Sequence, residues 1–411
     1  MKKKILIYSD CFFFAGCENI IINILSHKEI LKDFDVVFAY RYSKDYERGL
    51  NSRLKNKEIQ IKKIFLPQLT TINKNIDERI KNHTISKGLK GIFFVLQRLR
   101  VFFLIDFLVL FFFLLKMKPD IIHVNNGGYP GAESCLALIL ASYFIEVDKM
   151  YLHVNNIAAC HDGILKTLNI FVDRLVFRRI TKFITASLTA GEKLIERRNA
   201  PRQKWMQIYN TIIPRDVTLS KNEYLKKYNI SSNKVIFSVI ANFEKRKGHI
   251  FILDAVKQII VKQNLSDKFM VILEGSGDEF ENIKNMIRLN GLEKNIIMIG
   301  REENIMNLMN TMDVLVVPSI DYEDFPNVVI ESMYLGKPVI GTRIAGIVEQ
   351  IDRNRTGLLI EPKNSDEIKN AMIYYINNRN KIIEHGNNAQ SKFNKLFKYE
   401  VIMKELHDLY Q

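Results

Sequence analysis

Residues 313–342 read DVLVVPSIDYEDFPNVVIESMYLGKPVIGT. The run DVLVVPS (313–319) is too short for a helix and rich in β-branched residues, so a buried strand is expected there. A polar loop follows. Pro326 is placed to open a helix and Gly336 to close it, because Pro lacks an N–H that the first turn would leave unpaired and Gly tolerates a left-handed cap. KPVIGT (337–342) then repeats the apolar strand pattern. Strand, loop, helix and strand in that order are the unit of a parallel sheet covered by helices. Within it Glu323 lies in the loop and Glu331 on the helix, eight residues later. Two carboxylates so placed reach the edge of the sheet, and each takes charge-assisted hydrogen bonds from sugar hydroxyls. A helix-start acid and a solvated glutamate are the plainer alternative.

The same alternation extends along most of the 411 residues. Strands are expected at KILIYS (4–9), DVVFAY (35–40), DIIHVN (120–125), KMYLHV (149–154) and KFITAS (182–187). A second series comprises VIFSVIAN (235–242), KFMVILEG (268–275), NIIMIG (295–300), 313–319 and 337–342. Helical patterns such as 248–261 and 279–290 separate them. The fold class that follows is α/β, with two doubly wound parallel-sheet Rossmann-like domains facing a cleft. The polar stretch 211–232 reads as the passage between them. This sets domains at 1–212 and 213–394, with a C-terminal helix at about 395–411 expected to pack back on the first. Ligands of open parallel sheets bind beyond the carboxyl ends of the strands, so the loops there are where chemistry is expected.

After 235–242 comes Phe243-Glu244-Lys245-Arg246-Lys247-Gly248, then a helix. Backbone N–H groups and the helix dipole favour an anion at such a position. The three cations add charge, and Gly248 permits close approach by a phosphate or diphosphate. An ordinary basic turn is the alternative. The loop is not a Walker A motif, since GxxxxGK[ST] is absent. Gly275-Ser276-Gly277, Gly300, and the loop from Gly341 to Glu349 stand at the same sheet edge, though any such loop can use glycine. In the first half, His123 in DIIHVNNGG and His153 in YLHVNN are placed at strand ends. An imidazole there can hold a hydroxyl or phosphate oxygen, or act as acid or base; a structural histidine is the alternative. The sequence has no HExxH and no Cys/His cluster, so no metal is expected.

Composition narrows the class. With 47% hydrophobic and 26% charged residues the chain is globular, not disordered. Cys11, Cys17, Cys135 and Cys160 form no CxxC and are expected as buried thiols in a reducing compartment. The net charge is +15, and it is unevenly spread: 34 Lys and Arg against 20 Asp and Glu through Asp216, then 26 against 25. The basic half faces either solvent or an anionic partner, such as a membrane surface, nucleic acid or a phosphorylated substrate. Nucleic acid is the weakest of these, for want of clustered aromatic and basic motifs.

Residues 92–115, IFFVLQRLRVFFLIDFLVLFFFLL, are interrupted by Arg98, Arg100 and Asp106 and are too short between charges to span a bilayer, which takes about 20 apolar residues. One helix, apolar all round and packed on a sheet, is expected, either fully buried or dipping into a membrane surface. At the start of the chain, Ala15-Gly16-Cys17 after three lysines and an apolar run imitates a lipoprotein signal. Ser9-Asp10 break the apolar core that such a signal needs, and strand, turn and helix account for the same residues.

Together these residues resemble a known family. Glu323-Asp-Phe-Pro-Asn-Val-Val-Ile-Glu331 is similar to the E-x7-E signature of family-4 retaining glycosyltransferases of the GT-B fold. The likeness extends through SMYLGKPVIGTRIAGIVEQI, Lys247-Gly248 and the GSG turn at 275–277. IYNTI (208–212) resembles that family's Asn-Gly linker motif, and AGCEN (15–19) its N-terminal GGxE loop. The resemblance covers most of the chain and is strongest at 235–361. It implies sugar transfer, with retention, from a UDP- or GDP-sugar to a hydroxyl acceptor, without metal or cofactor. The implied setting is cell-surface glycan assembly in a bacterium, on a sugar or lipid-linked acceptor. The enzyme would be cytoplasmic or peripheral at the inner face of the cell membrane, with an anionic membrane surface and no nucleic acid as partner.

Carried over by position, Lys247 with Arg246 neutralises the donor diphosphate, while Glu323 and the backbone at Phe325, Pro326 and Asn327, next to Val328, hold the sugar and phosphates. Glu331 grips the ribose, His123 lies near donor sugar and acceptor, and Gly16 lets the first loop approach the phosphates. Gly275 and Gly300 count among the donor loops. The chain departs from the family pattern at Asn242, where the family usually has Arg, and at Asp324, Ala345 and Ala15, where it has Gly. These departures support a second reading, a non-catalytic partner subunit.

Overall fold

The computed structural model describes residues 2–411 apart from 12, 13, 15, 57, 164 and 264. The chain divides into two units, Met1–Ile208 with Met403–Gln411, and Tyr209–Ile402.

The first unit holds strands β1 (Lys4–Ser9), β2 (Asp35–Arg41), β3 (Gln60–Ile64), β4 (Ile121–Asn126), β5 (Lys149–Val154), β6 (Lys182–Thr185) and β7 (Trp205–Gln207). They form one parallel sheet in the order β3-β2-β1-β4-β5-β6-β7, with Ile7 registered between Phe38 and His123. Near-continuous apolar strands suit a sheet covered on both faces. Leu6, Val37, Ile122 and Leu152 from the sheet meet Leu110, Leu114 and Leu138 from helices in one core. The edge strands β3 and β7 escape the sequence reading. β3 is half-polar, with Lys63 exposed, and β7 has only three residues, too few for a periodic signal.

At the N-terminus β1 runs through the middle of the sheet, followed by a 3-10 turn at Gly16–Glu18 and a helix at Asn19–Ser26. Ala15 lies outside the described residues. At the other end, Tyr410 donates to or accepts from His123 Nδ1 at 2.6 Å, and Tyr151 donates to the carbonyl of Leu409 at 2.6 Å.

Residues 92–115 are two helices, not one: His83–Arg98 and Val101–Met117. Arg100 breaks them, in the left-handed region at φ 61°. Its guanidinium pairs with Glu133 and donates to Asn169 Oδ1 at 2.8 Å, which fixes the break. The second helix is also two-sided. Phe102, Asp106, Leu110 and Leu114 are buried, and the Asp106 carboxylate meets Arg41 at 3.0 Å. Burial pushes the Asp106 carboxyl up to about 7.

The second unit holds β8 (Val235–Ile240), β9 (Phe269–Glu274), β10 (Ile296–Ile299), β11 (Val314–Val317), β12 (Val339–Thr342) and β13 (Gly357–Ile360). They form a second parallel sheet, ordered β10-β9-β8-β11-β12-β13. The short β13 is missed by the sequence reading. So is the helix Lys221–Lys227, which lies inside the stretch read as a plain passage and starts on a Ser220–Glu223 capping box. Among the described residues no helix is long and apolar enough to cross a membrane.

Candidate active site

In the second sheet the strand order reverses between β8 and β11, which are neighbours. Such a reversal opens a crevice at the carboxyl ends, because the two following chains leave to opposite faces. Here the loops after β8 and β11 stay in contact at their bases. Ile320 N–H donates to the carbonyl of Arg246 at 2.7 Å. Gly248 makes this approach feasible: its φ is 72°, and a Cβ there would stand 2.0 Å from the carbonyl oxygen of Pro318.

The contact brings Lys247 Nζ onto the carboxylate of Glu323 in a charged hydrogen bond. Ser319 Oγ donates to the same carboxylate oxygen at 3.1 Å, and an Arg246 Nη stands 3.6 Å from it. Arg246 is steered by Glu244, which accepts from its Nε at 2.7 Å, and by the carbonyl of Tyr322 at 3.1 Å. The Lys247 and Glu323 side chains are only 15% and 11% exposed, so the pair is little screened by water. Lys247, Ser319, Glu323, Pro326 and Val328 line one pocket.

The glycine turn after β9 closes on the same loop. Gly275 has φ 142°, and a Cβ there would stand 2.1 Å from the carbonyl oxygen of Ala241. Phe243 N–H donates to the carbonyl of Ser276 at 2.9 Å. Asn242, at the departure from the family pattern, is exposed and donates to Glu244 at 3.2 Å, so it touches the acid that orients Arg246. His249 stacks on Phe243 with ring centroids 4.5 Å apart. Burial and the neighbouring Lys247 push its pKa down to about 4.

The helix Asn327–Tyr334 begins after Pro326, which takes the N-cap position. Glu331 sits in its second turn, with its carboxylate 3.7 Å from Arg215. Phe325 is buried, stacked on Tyr209 at 5.3 Å between centroids, and its carbonyl accepts from Asn210 Nδ2 at 3.1 Å. Its ring is therefore occupied in anchoring the acidic loop to the IYNTI segment. Gly300 is exposed just after β10.

Of the residues singled out in the sequence, Lys247, Arg246, Glu323, Pro326 and Val328 come together. Asn242 and Gly275 adjoin them, Asn327 and Glu331 continue on the helix, and Gly300 belongs to a neighbouring loop. The sequence reading missed Ser319, Glu244 and Arg215. Ser319 ends the β11 run and could have been found as a hydroxyl at a strand end.

Gly16 and His123 belong to the first unit. Gly16 is exposed and opens the 3-10 turn. His123 is not at a strand end: β4 continues to Asn126, and the ring is buried mid-strand against Tyr410 and His153. Burial first, then His153, pushes its pKa well down, so it stays neutral. Beside Gly16, Glu18 is buried and accepts from Ser9 Oγ at 2.9 Å, Asn125 Nδ2 at 3.1 Å and the Tyr46 hydroxyl. The expectation of buried thiols holds for Cys135 alone. Cys11 and Cys17 are half-buried and Cys160 exposed. The turn after β1 folds Cys11 Sγ to 3.7 Å from Cys17 Sγ, and with Glu18 they form a group of three metal-capable side chains that their spacing did not announce.

Residues 220–392 match the family described as Glycosyl transferases group 1. N-acetyl-alpha-D-glucosaminyl L-malate synthase of Bacillus anthracis is 27% identical over 215 residues, which are 51% of this chain and 54% of that protein. The O-antigen biosynthesis glycosyltransferase WclY of Escherichia coli is 31% identical over 180 residues, 44% of this chain and 48% of that one. The chain thus spans about half the length of the curated relatives it matches. Among solved structures, Anabaena Alr3699/HepE in complex with UDP superposes with a TM-score of 0.75 at 18% identity, covering 99% of each chain. A glycosyltransferase from Rickettsia africae superposes with a TM-score of 0.75 at 17% identity, over 100% of this chain and 98% of that one. Residues 220–392 are thus similar to the glycosyl transferases group 1 domain, within a fold of two parallel sheets that matches GT-B glycosyltransferase structures.

Proposed function

We propose that the chain is a retaining glycosyltransferase of the family-4 type. In this reading it moves a sugar from a nucleotide diphosphate sugar to a hydroxyl of a lipid-linked or polysaccharide precursor at the inner face of a cell membrane. The observation that carries the reading is the convergence of Lys247, Arg246 and Glu323 beyond the carboxyl ends of β8 and β11.

When the bond between the anomeric carbon and the diphosphate oxygen breaks, negative charge gathers on the leaving nucleoside diphosphate. Preorganised cations in a little-hydrated site stabilise that charge without reorganising. Lys247 and Arg246 are such cations. In the structure Glu323 is their counter-ion. A donor diphosphate takes over that place and frees Glu323 to accept hydrogen bonds from the sugar. The N–H groups at the start of the helix Asn327–Tyr334 add partial positive charge. Glu331, in the next turn, accepts from the ribose hydroxyls. With the charge met by side chains, the transfer runs without a metal ion.

The HepE structures contain UDP and, in another crystal, UDP-glucose. They favour a uridine diphosphate donor. The name of WclY, an O-antigen glycosyltransferase, favours a cell-surface acceptor.

The second reading, a non-catalytic partner subunit, draws on Asn242, which supplies no cation where the family usually has one. Incubation with UDP-glucose, UDP-N-acetylglucosamine or GDP-mannose and a lipid-linked sugar, followed by release of nucleoside diphosphate, separates the two. Release supports transfer and rejects the partner subunit. No release, with or without nucleotide binding in a thermal-shift screen, favours the partner subunit.

A further inference from the structure

The two helices His83–Arg98 and Val101–Met117 present an apolar surface that the first unit does not cover. On the second helix the buried residues recur every four positions, at Phe102, Asp106, Leu110 and Leu114. The opposite face carries Leu104, Leu108 and Phe112, exposed by 58%, 52% and 63%. On the first helix and just beyond it, Ile85, Ile92, Val95 and Leu99 recur at helical spacing, and each is more than half exposed. Exposed apolar surface on this scale marks an interaction site.

Charge selects the partner. From Lys81 to Lys118 the chain has seven Lys and Arg and one acid, Asp106. That acid is turned inward onto Arg41. The outward surface is therefore apolar with a cationic rim at Lys87, Arg98, Lys116 and Lys118, all exposed. Arg98 lies over the ring of Phe94, 5.2 Å from its centroid, with its charge at the edge of the apolar area. A second copy of the same face would set cation against cation. An anionic bilayer supplies both what the apolar residues need and what the rim needs. Neither helix is long enough to cross.

We propose that this helical hairpin lies in the headgroup region of an anionic membrane, with Leu104, Leu108 and Phe112 in the acyl boundary and the lysines and arginines reaching back to the phosphates. The inference deepens the proposed function, because it rests on the reading that the acceptor is lipid-linked and says how the first unit would meet it.

Flotation with vesicles of phosphatidylglycerol and phosphatidylcholine in equal parts tests it. The parent chain floats with these vesicles and at least about tenfold less with phosphatidylcholine alone. The variant Leu104→Asn with Leu108→Asn and Phe112→Asn loses binding by about tenfold or more, while its UDP affinity by calorimetry stays unchanged. Lys87→Glu with Lys116→Glu removes the preference for the anionic lipid. The proposal is overturned if the parent ignores anionic vesicles or if the triple variant binds as well as the parent. It is likewise overturned if sedimentation shows the face closing a dimer that the triple variant dissolves. Vesicle binding together with no UDP binding in any variant would remove the transfer reading and leave the docking surface standing.

Discussion

Lys247 and Glu323, 76 residues apart in sequence, share a charged hydrogen bond because their strands are neighbours at the reversal of one parallel sheet. The bond holds the basic loop against the acidic loop. It also leaves Lys247 with a counter-ion that an incoming diphosphate can replace.

Replacing Lys247 by Ala should leave the fold intact, since Glu323 keeps Arg246 at 3.6 Å and Ser319 at 3.1 Å. The loss falls on the leaving-group charge. Removal of one preorganised electrostatic partner costs about a hundredfold to a thousandfold in kcat. Steady-state release of nucleoside diphosphate measures it; a turnover number equal to the parent's would show that Lys247 does not face the diphosphate.

Glu331→Gln keeps the shape of the side chain and removes its charge. The pair with Arg215 spans 3.7 Å and Arg215 is half exposed, so little stability is lost with it. Donor binding is what should suffer, because a hydrogen bond to a charged acceptor is worth about 1.5–3 kcal/mol, or tenfold and more in affinity. Calorimetric titration with UDP reads the change. An unaltered Kd would remove Glu331 from the ribose.

Gly248→Ala tests the seam between the two loops. The residue sits at φ 72°, and the added Cβ would meet a backbone oxygen, which cannot swing aside as a side chain can. The expected cost exceeds about 1 kcal/mol, seen as a fall of several degrees in Tm. UDP binding should fall with it, since the hydrogen bond from Ile320 to Arg246 sets the position of both ends of the Lys247–Glu323 pair. A variant with parental Tm and affinity would mean that the loops part at no cost.

The sheets were legible in the sequence because parallel strands buried on both faces are written as apolar runs, as in KILIYS and VIFSVIAN. The loops carrying Lys247 and Glu323 were legible because they follow such runs. What depends on edges and on distant partners was not. β3 and β13 are short or half-polar, and no local signal announces that Arg100 turns left-handed to reach Glu133 and Asn169. His123 reads as a strand-end residue, but β4 continues to Asn126, and the Tyr410 that covers its ring lies 287 residues away. Arg215 meets Glu331 only in the fold, since the two lie 116 residues apart.

His153 offers a test of the first core by pH. The ring is buried in β5, 5.7 Å between centroids from His123, and among the described residues neither of its nitrogens has a hydrogen-bond partner. Burial pushes its pKa down to about 4. The unfolded chain takes up a proton on this side chain near its ordinary value of about 6.5, whereas the folded chain refuses it until about pH 4. Stability from this group is therefore complete above pH 6.5 and is lost as the pH falls through that window, reaching about 2 kcal/mol at pH 5. Asp106, Glu18 and Glu274 act in the opposite sense, since burial raises their carboxyl pKa values and the folded state then gains as protons are added. The difference between parent and His153→Leu cancels those carboxylates. Urea unfolding at pH 7.5 and pH 5 should show the variant gaining about 2 kcal/mol on the parent at the lower pH. An equal gap at both values would mean that His153 is protonated in the fold with a partner of its own.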